Sequence, residues 1–403
     1  MSATILLIGT LDTKGAEFAY VRDLIRERGH DTILADAGII ADPSVEPDIP
    51  ASEIAHLGGS SLEALREQGD RGSAIDVMTR GACAVAEQLL GKGRVQAVLG
   101  LGGSGGTIIA SAVMRRLPVG MPKVMVSTIA SGDVAPYVGS RDITMMYSVV
   151  DIAGLNKISR SILANAAGAV CGMVEQNMPE ASDKPVIAAT MFGVTTPCVT
   201  RVRERLEAAG YEVLVFHATG SGGRAMEALI DGGFITAVAD VTTTEWCDEL
   251  VGGVLSAGPH RLEAAARRGL PQVVSCGALD MVNFWALETM PTEFQGRTVY
   301  RHNANVTLMR TTPEECAALG RIIADKLNAA NGPVTLLLPL RGVSAIDAEG
   351  QPFYAPDANR ALFDALRSGV NESVRLVEMD LHINDDAFAD AIAERLLADL
   401  HTP

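Results

Sequence analysis

The stretch Val95-Gln96-Ala97-Val98-Leu99-Gly100-Leu101-Gly102-Gly103-Ser104-Gly105-Gly106-Thr107 decides the fold. An apolar run without alternation is a strand buried on both faces, here Val95–Leu99. Glycines follow at once, and a helical pattern follows them. Strand, glycine-rich turn and helix in that order form the repeating unit of a parallel α/β sheet. The same unit stands at the start of the chain. Thr4–Ile8 reads as a strand, Gly9–Gly15 as a turn, and a helix runs from about Glu17 to Arg28 with Phe18, Val21, Leu24 and Ile25 on one stripe. Gly29 stops that helix, and Asp31–Ala35 is the next strand. Residues 41–71 break the rhythm with Pro43, Pro47 and Pro50 and read as an excursion, a lid or an interface arm. A helix over about Ser73–Leu90 and a strand at Lys123–Ser127 complete the pattern.

Near residue 180 the chain starts again. Pro179 to Lys184 is polar and linker-like. Pro185–Thr190 is then a strand, Val199–Ala209 a helix stopped by Gly210, and Tyr211–Phe216 a strand. Gly29 falls on Gly210 at an offset of 181 residues, which puts Ile5 on Val186 and Ile33-Leu34 on Leu214-Val215. Elements coincide while identities are few, so the reading is a fold-level duplication. The expected fold class is α/β, with two Rossmann-like subdomains built on mainly parallel sheets, residues 1–180 and 184–403. Pro271–Ser275 and Val334–Leu338 are further buried strands, and Asp385–Leu400 an amphipathic helix.

Composition bounds the function. Among 403 residues, 48% are hydrophobic and 40 are Gly, and the formal net charge is −16. An acidic surface repels a phosphate backbone, which argues against nucleic-acid binding. The six cysteines include no CxxC pair; this is the pattern of reduced intracellular thiols. No signal peptide or membrane span is read, since the most apolar stretch, Ile152–Val174, is broken by Asn156, Lys157, Arg160 and Asn165. The expectation is a soluble cytoplasmic protein.

Backbone without side chains can approach a phosphate, and a helix amino terminus offers free N–H groups and partial positive charge. Gly102, Gly103, Ser104, Gly105, Gly106 and Thr107 form such a cradle, although the stretch is neither a Walker A loop nor a G-x-G-x-x-G fingerprint. Thr10, Asp12, Thr13 and Lys14 in the first turn, and Thr128, Ser131, Gly132 and Asp133 after Ser127, also follow strand ends, where ligands of open parallel sheets sit. Lys14 is a natural phosphate partner, and Asp12 or Asp133 a candidate for Mg²⁺. In the second half, Cys198 stands where a helix begins, which can depress a thiol pKa. His217, Glu245, Asp280 and His302 follow apolar runs, as does Arg341. They make candidates for a polar small-molecule pocket with acid–base chemistry. Helix capping, packing and buried thiols are the bland alternatives for each. The fold alone also admits a dinucleotide oxidoreductase, which the absent fingerprint disfavours.

Several long motifs match one family in order and spacing: Gly9–Lys14, Gly100–Thr107, Ser127–Asp133, Phe216–Glu227 and Gly277–Phe284. Across its whole length the chain resembles the bacterial relatives of the ATP-binding, inhibitory amino-terminal domain of a plant tomato-mosaic-virus resistance protein. One departure is Leu340 in Leu340-Arg341-Gly342-Val343-Ser344, where the resemblance leads one to expect Met. The resemblance implies two Rossmann-like subdomains, a homodimer, and ATP with Mg²⁺ held in the first subdomain by the three turns named above. It also implies a separate TIM-barrel-like partner, since the plant protein carries such a domain and this chain lacks it. The plant protein's antiviral role does not transfer. The readings left open are a nucleotide-binding protein without turnover and an ATP-using enzyme of small-molecule metabolism with its substrate in the second half.

Overall fold

In the computed structural model, which describes residues 2–176 and 183–401, the chain divides into two units, Met1–Ala181 and Ser182–Pro403. The linker-like residues Pro179–Ser182 lie outside the described residues.

The first unit runs β1 (Thr4–Gly9), α1 (Leu11–Glu27), β2 (Asp31–Asp36), α2 (Ala51–Leu57), α3 (Leu62–Gln68), α4 (Arg71–Gly91), β3 (Ala97–Gly102), α5 (Ser104–Arg116), β4 (Lys123–Ser127), α6 (Ala135–Val138), β5 (Thr144–Tyr147) and α7 (Lys157–Glu175). Its strands form one sheet in the order β2-β1-β3-β4-β5, with every pair parallel. The apolar runs lack alternation because both faces are covered. Ile5 and Leu7 of β1 join Leu99 and Leu101 under α1 and α7, while Leu6 and Ile8 join Val98 under α4 and α5.

The second unit runs β6 (Val186–Met191), α8 (Thr196–Ala208), β7 (Glu212–His217), α9 (Ser221–Asp231), β8 (Ala237–Thr242), α10 (Glu245–Val251), α11 (Ala264–Arg268) and β9 (Gln272–Gly277). It continues with β10 (Met281–Phe284), β11 (Val299–Arg301), β12 (Thr307–Arg310), α12 (Pro313–Asn328), β13 (Val334–Pro339), α13 (Pro356–Gly369), β14 (Val374–Met379) and α14 (Asp386–Leu400). The main sheet has the order β14-β13-β9-β8-β6-β7 and is parallel throughout.

Numbered within each unit, both sheets read 2-1-3-4-5, and the second adds a sixth strand. The duplication therefore holds at the level of topology. It is not residue-perfect: Asp31 faces Thr4, whereas Glu212, its counterpart at the 181 offset, faces Val186 rather than the residue before it. A small antiparallel sheet, β10-β12-β11, interrupts the second unit and has no counterpart in the sequence reading.

Two local expectations change. The strand before the glycine cluster ends at Gly102 rather than Leu99, so the turn shrinks to Gly103 and α5 begins at Ser104. The proline-rich arm returns to the open edge of β2: the Asp48 and Ile49 amides donate to Leu34 O, the Asp36 amide donates to Ile49 O, and Asp48 Oδ2 accepts from the Leu34 amide. It shields an edge strand, a standard protection of unpaired backbone.

The turn at Gly103 exists because α5 sits on β3 backbone to backbone. A Cβ on Gly102 would lie 2.7 Å from the Gly106 Cα, and one on Gly106 would lie 3.1 Å from Leu101 O. Gly102→Ala is expected to destabilise the first unit by about 1–3 kcal/mol through overpacking. Hydrogen exchange should show faster opening of α5 and β3, with the second unit unaffected.

Candidate functional site

In a sheet of order 2-1-3-4-5, the connections from strands 1 and 3 leave toward opposite faces and open a crevice between them. In the first unit that crevice is a cavity of about 630 Å³, within the usual range for a small-molecule site. Thr10, Asp12, Thr13 and Lys14 line it from the β1 side, and Gly103, Ser104, Gly105 and Gly106 from the β3 side. The excursion between β2 and α4 supplies the remaining wall: Ile39, Ile40 and Leu65 with the cations Arg66 and Arg71.

Three long helices begin at this cavity. α1 starts after Thr10 and α5 after Gly103, and neither of these two residues caps its helix with its own side chain. α4 starts after Asp70, whose side chain accepts from the Gly72 amide. The Leu11 amide at the start of α1 donates to Asp36 Oδ1, which also accepts from the Gly38 amide. Burial and the nearby Asp12 push the Asp36 carboxyl above its ordinary pKa, against those two hydrogen bonds. Asp36 thus ties the exit of β2 to the start of α1. Sequence reasoning missed it because it stands one residue past the strand read as Asp31–Ala35, with no glycine cluster beside it.

Asp12 stands one residue into α1. Its Oδ2 accepts from the Ile40 amide at 2.8 Å, while Oδ1 is buried and has no partner among the described residues. Thr10 and Thr13 share a hydroxyl hydrogen bond of 3.0 Å. Lys14 interrupts the helical geometry, with φ −133° and ψ 19°, and its Nζ donates to Ile152 O at 2.5 Å. Arg66 donates to Ile39 O and Ala41 O. Arg71 is exposed and has no hydrogen bond or ion pair among the described residues. A Cβ on Gly105 would lie 3.7 Å from its guanidinium. The two arginines were invisible to motif reading, because each comes from a segment that reads only as a break in the pattern.

Other expected members of this site have different work. Thr107 is fully buried and its hydroxyl pairs with Ser127 Oγ at 2.7 Å, so it packs α5 on β4 instead of facing a ligand. Gly102 and Gly106 allow the helix–strand approach. Thr128 is near Gly103, 3.7 Å from the Cβ that Gly103 lacks. Ser131, Gly132 and Asp133 are exposed and are not among the residues lining the cavity. Asp133, read as a cation candidate, accepts from the Ala135 amide at the start of the short α6 and lies outside the cavity lining that contains Asp12.

The matching crevice of the second unit is filled. Thr195 and Thr242 share a hydroxyl hydrogen bond of 2.7 Å, and Thr190, Thr243 and Thr244 are fully buried around them. The second glycine-rich turn already holds an anion of its own: Glu245 Oε1 accepts from the Gly220 and Gly223 amides at 2.7 and 3.0 Å, at the start of α9. Its Oε2 accepts from Arg261, which is fully buried and forks onto Asp240 at 2.6 and 2.7 Å and onto Glu227. Glu245 is therefore a structural carboxylate, not an acid–base candidate.

The remaining second-half candidates do not converge. His217 is exposed at the end of the edge strand β7, 5.4 Å between ring centroids from Phe192. It lines a cavity of about 240 Å³ that contains none of the other candidates. His302 is exposed in the turn between β11 and β12. Cys198 is buried, and burial pushes its thiol up to about 12, the reverse of activation. Asp280 is fully buried; burial, then Asp347, pushes its carboxyl up to about 7. One oxygen accepts from Ser344 Oγ at 2.7 Å and the other has no partner among the described residues.

Residues 3–179 match the amino-terminal domain, and 184–400 the carboxyl-terminal domain, of the Uncharacterised protein family (UPF0261). The chain belongs to this family. It is similar to a UPF0261 protein of Clostridium tetani, 55% identical over 98% of this chain and 99% of that one. It is also similar to the ToMV resistance protein Tm-1(GCR237) of Solanum lycopersicum, 39% identical over 98% of this chain and 56% of that protein. The ToMV susceptible protein tm-1(GCR26) of the same plant is 45% identical over 81% of this chain and 44% of its own length. The family expected from the motifs is thus the one found. No helix among the described residues is long and apolar enough to cross a membrane.

The raised carboxyls give a pH dependence. An acid whose folded pKa lies above its unfolded value contributes stability at low pH and loses it as pH rises through the folded pKa. For Asp280, and for Asp248, which burial also raises to about 7, that loss falls between roughly pH 4 and 7. Asp280→Asn keeps an acceptor for Ser344 and cannot ionise. Its melting temperature is expected to rise relative to the parent as pH increases from 5 to 8. Both tryptophans, Trp246 and Trp285, lie in the second unit, so their fluorescence reports this change.

Proposed function

We propose that the first unit binds a nucleotide, ATP with Mg²⁺, in the cavity between the β1 and β3 turns, and that binding rather than turnover is its task. The observation that carries the reading is the meeting of three helix amino termini with a partnerless arginine at one cavity. Free amides and Arg71 suit a polyphosphate, and an arginine fork matches phosphate oxygens in pairs. The apolar lining, with Ile39, Ile40, Leu65, Ile75 and Met78, suits a flat apolar base.

The residues present also fit Mg²⁺. Among the described residues no group of three or more His, Cys, Asp or Glu side chains is placed to hold a metal. Mg²⁺ needs fewer, because it is commonly held by one or two carboxylates and the nucleotide's own phosphates. Asp12, with its buried and partnerless Oδ1, is the carboxylate that would hold it. Mg²⁺ would supply charge neutralisation of the phosphates. Asp12 and Asp70 are the acids lining the cavity; the first is bound to the Ile40 amide and the second caps α4. With Asp12 assigned to Mg²⁺ and Asp70 to the α4 cap, neither lining acid is left as a general base, which favours binding over hydrolysis.

Thermal melts with ATP·Mg²⁺, ADP, AMP and NAD test this reading. Ligand at a hundredfold excess over Kd is expected to stabilise by about 2.7 kcal/mol. Arg71→Ala should weaken ATP at least tenfold, about 1.4 kcal/mol. Lys14→Ala should cost less, since its ammonium already holds a backbone carbonyl. Absence of an ATP-selective rise, or a rise unchanged in Arg71→Ala, overturns the site. Steady ATP turnover by the chain alone overturns the non-catalytic reading.

A further inference from the structure

The second unit carries a groove that none of the original candidates except Arg341 touches. It lies outside the carboxyl ends of β13 and β14 and has a volume of about 960 Å³. Leu340 and Arg341 enter it directly from β13, and His382 and Asp385 follow β14. This is the end of a parallel sheet where loops are free to meet a ligand.

The two loops that floor the groove are fixed to each other. The Arg341 amide donates to Leu381 O, and the Ile383 amide to Gly342 O, both at 3.0 Å. Gly342 has φ +136°, and a Cβ there would lie 1.9 Å from Asp347 O, so the bend needs glycine. His382 is held at both ring nitrogens. The Ser344 carbonyl, 2.9 Å away, can only accept, so Nε2 carries the proton; the Asn384 amide can only donate, so Nδ1 accepts. The ring's orientation is thereby set. Asn359, almost fully buried, bridges Arg310 and Asp347 beneath.

Above this rigid floor the rim is charged and poorly engaged. Arg341 pairs with Asp380, and Arg360 with Asp357, but all four side chains are more than 60% exposed. Such pairs exchange readily for a better-placed oxyanion. Tyr354 is half exposed, and neither its hydroxyl nor the exposed Glu349 has a hydrogen-bond partner among the described residues. Arginines that take an oxyanion, beside a phenol and a carboxylate that take hydroxyl groups, describe one kind of ligand.

We propose that this groove is a binding site for a small polyhydroxylated oxyanion, a sugar acid or sugar phosphate, held at its charged end by Arg341 and Arg360 and along its hydroxyls by Tyr354 and Glu349. The site is separate from the nucleotide cavity and does not depend on the reading given to that cavity.

The test is calorimetric titration of the full chain with gluconate, glucose 6-phosphate, inorganic phosphate and glucose at constant ionic strength. Gluconate or glucose 6-phosphate should bind in the millimolar range or tighter and at least tenfold better than either inorganic phosphate or glucose. Which of the two binds names the oxyanion. Binding should fall at least tenfold in Arg341→Gln and several-fold in Tyr354→Phe, and persist in Arg71→Ala. Both substituted side chains are exposed, so unchanged melting curves should accompany the loss. The proposal is overturned if neither compound binds, if inorganic phosphate or glucose binds as well, if Arg341→Gln changes nothing, or if only Arg71→Ala removes the signal.

Discussion

The contact between Gly102 and Gly106 is the constraint on which the first unit depends. It lets α5 rest on the backbone of β3 and forces the chain to turn within one residue. A short turn leaves the first amides of α5 unshielded at the carboxyl end of the sheet. Asp36 does the equivalent for α1 by a different route, since a buried carboxylate fixes the helix's first amide beside the end of β2. Two helix starts held a fixed distance apart by packing are a preorganised place for negative charge. The cations that complete it arrive from the excursion, which also covers the edge of β2.

The duplicated topology makes the second unit an internal control. It has the same strand order and a comparable glycine-rich turn, yet Glu245 sits on the amides that a ligand anion would otherwise take. Arg261 balances that carboxylate and two others in a largely buried site. Buried charge of this kind costs desolvation energy and is retained only where its hydrogen bonds are complete. One crevice was left open and the other was closed with protein groups. The groove proposed for a ligand in the second unit lies instead at the opposite edge of the same sheet, where the loops after β13 and β14 lock together and leave a charged rim.

Membership of UPF0261 and similarity to the tomato proteins fit a chain whose two domains each match along their length. The chain covers about half of the tomato proteins. What those proteins do as wholes therefore says little about which groove of this chain does what. The geometry of Arg71, Asp12, Arg341 and Tyr354 gives that question specific residues.

Some of this was legible in the sequence by itself. Unalternating apolar runs separated by glycine stops determined a parallel α/β chain, because a strand buried on both faces has no polar side to show. The 181-residue offset determined the duplication, and the glycine cluster after β3 located the first crevice. Tertiary structure decided the rest, for physical reasons visible in single residues. Thr107 and Thr128 look alike in a motif, but only packing turns one hydroxyl onto Ser127. Glu245 and Asp12 are both acids near glycine turns, but only the fold brings Arg261 to one and leaves an oxygen of the other unpaired. Arg66 and Arg71 carry no local signal, since their value comes from distant backbone folding back beside them. Local pattern fixes where backbone must bend or be buried; which charge meets which cavity is set by contacts between residues far apart in the chain.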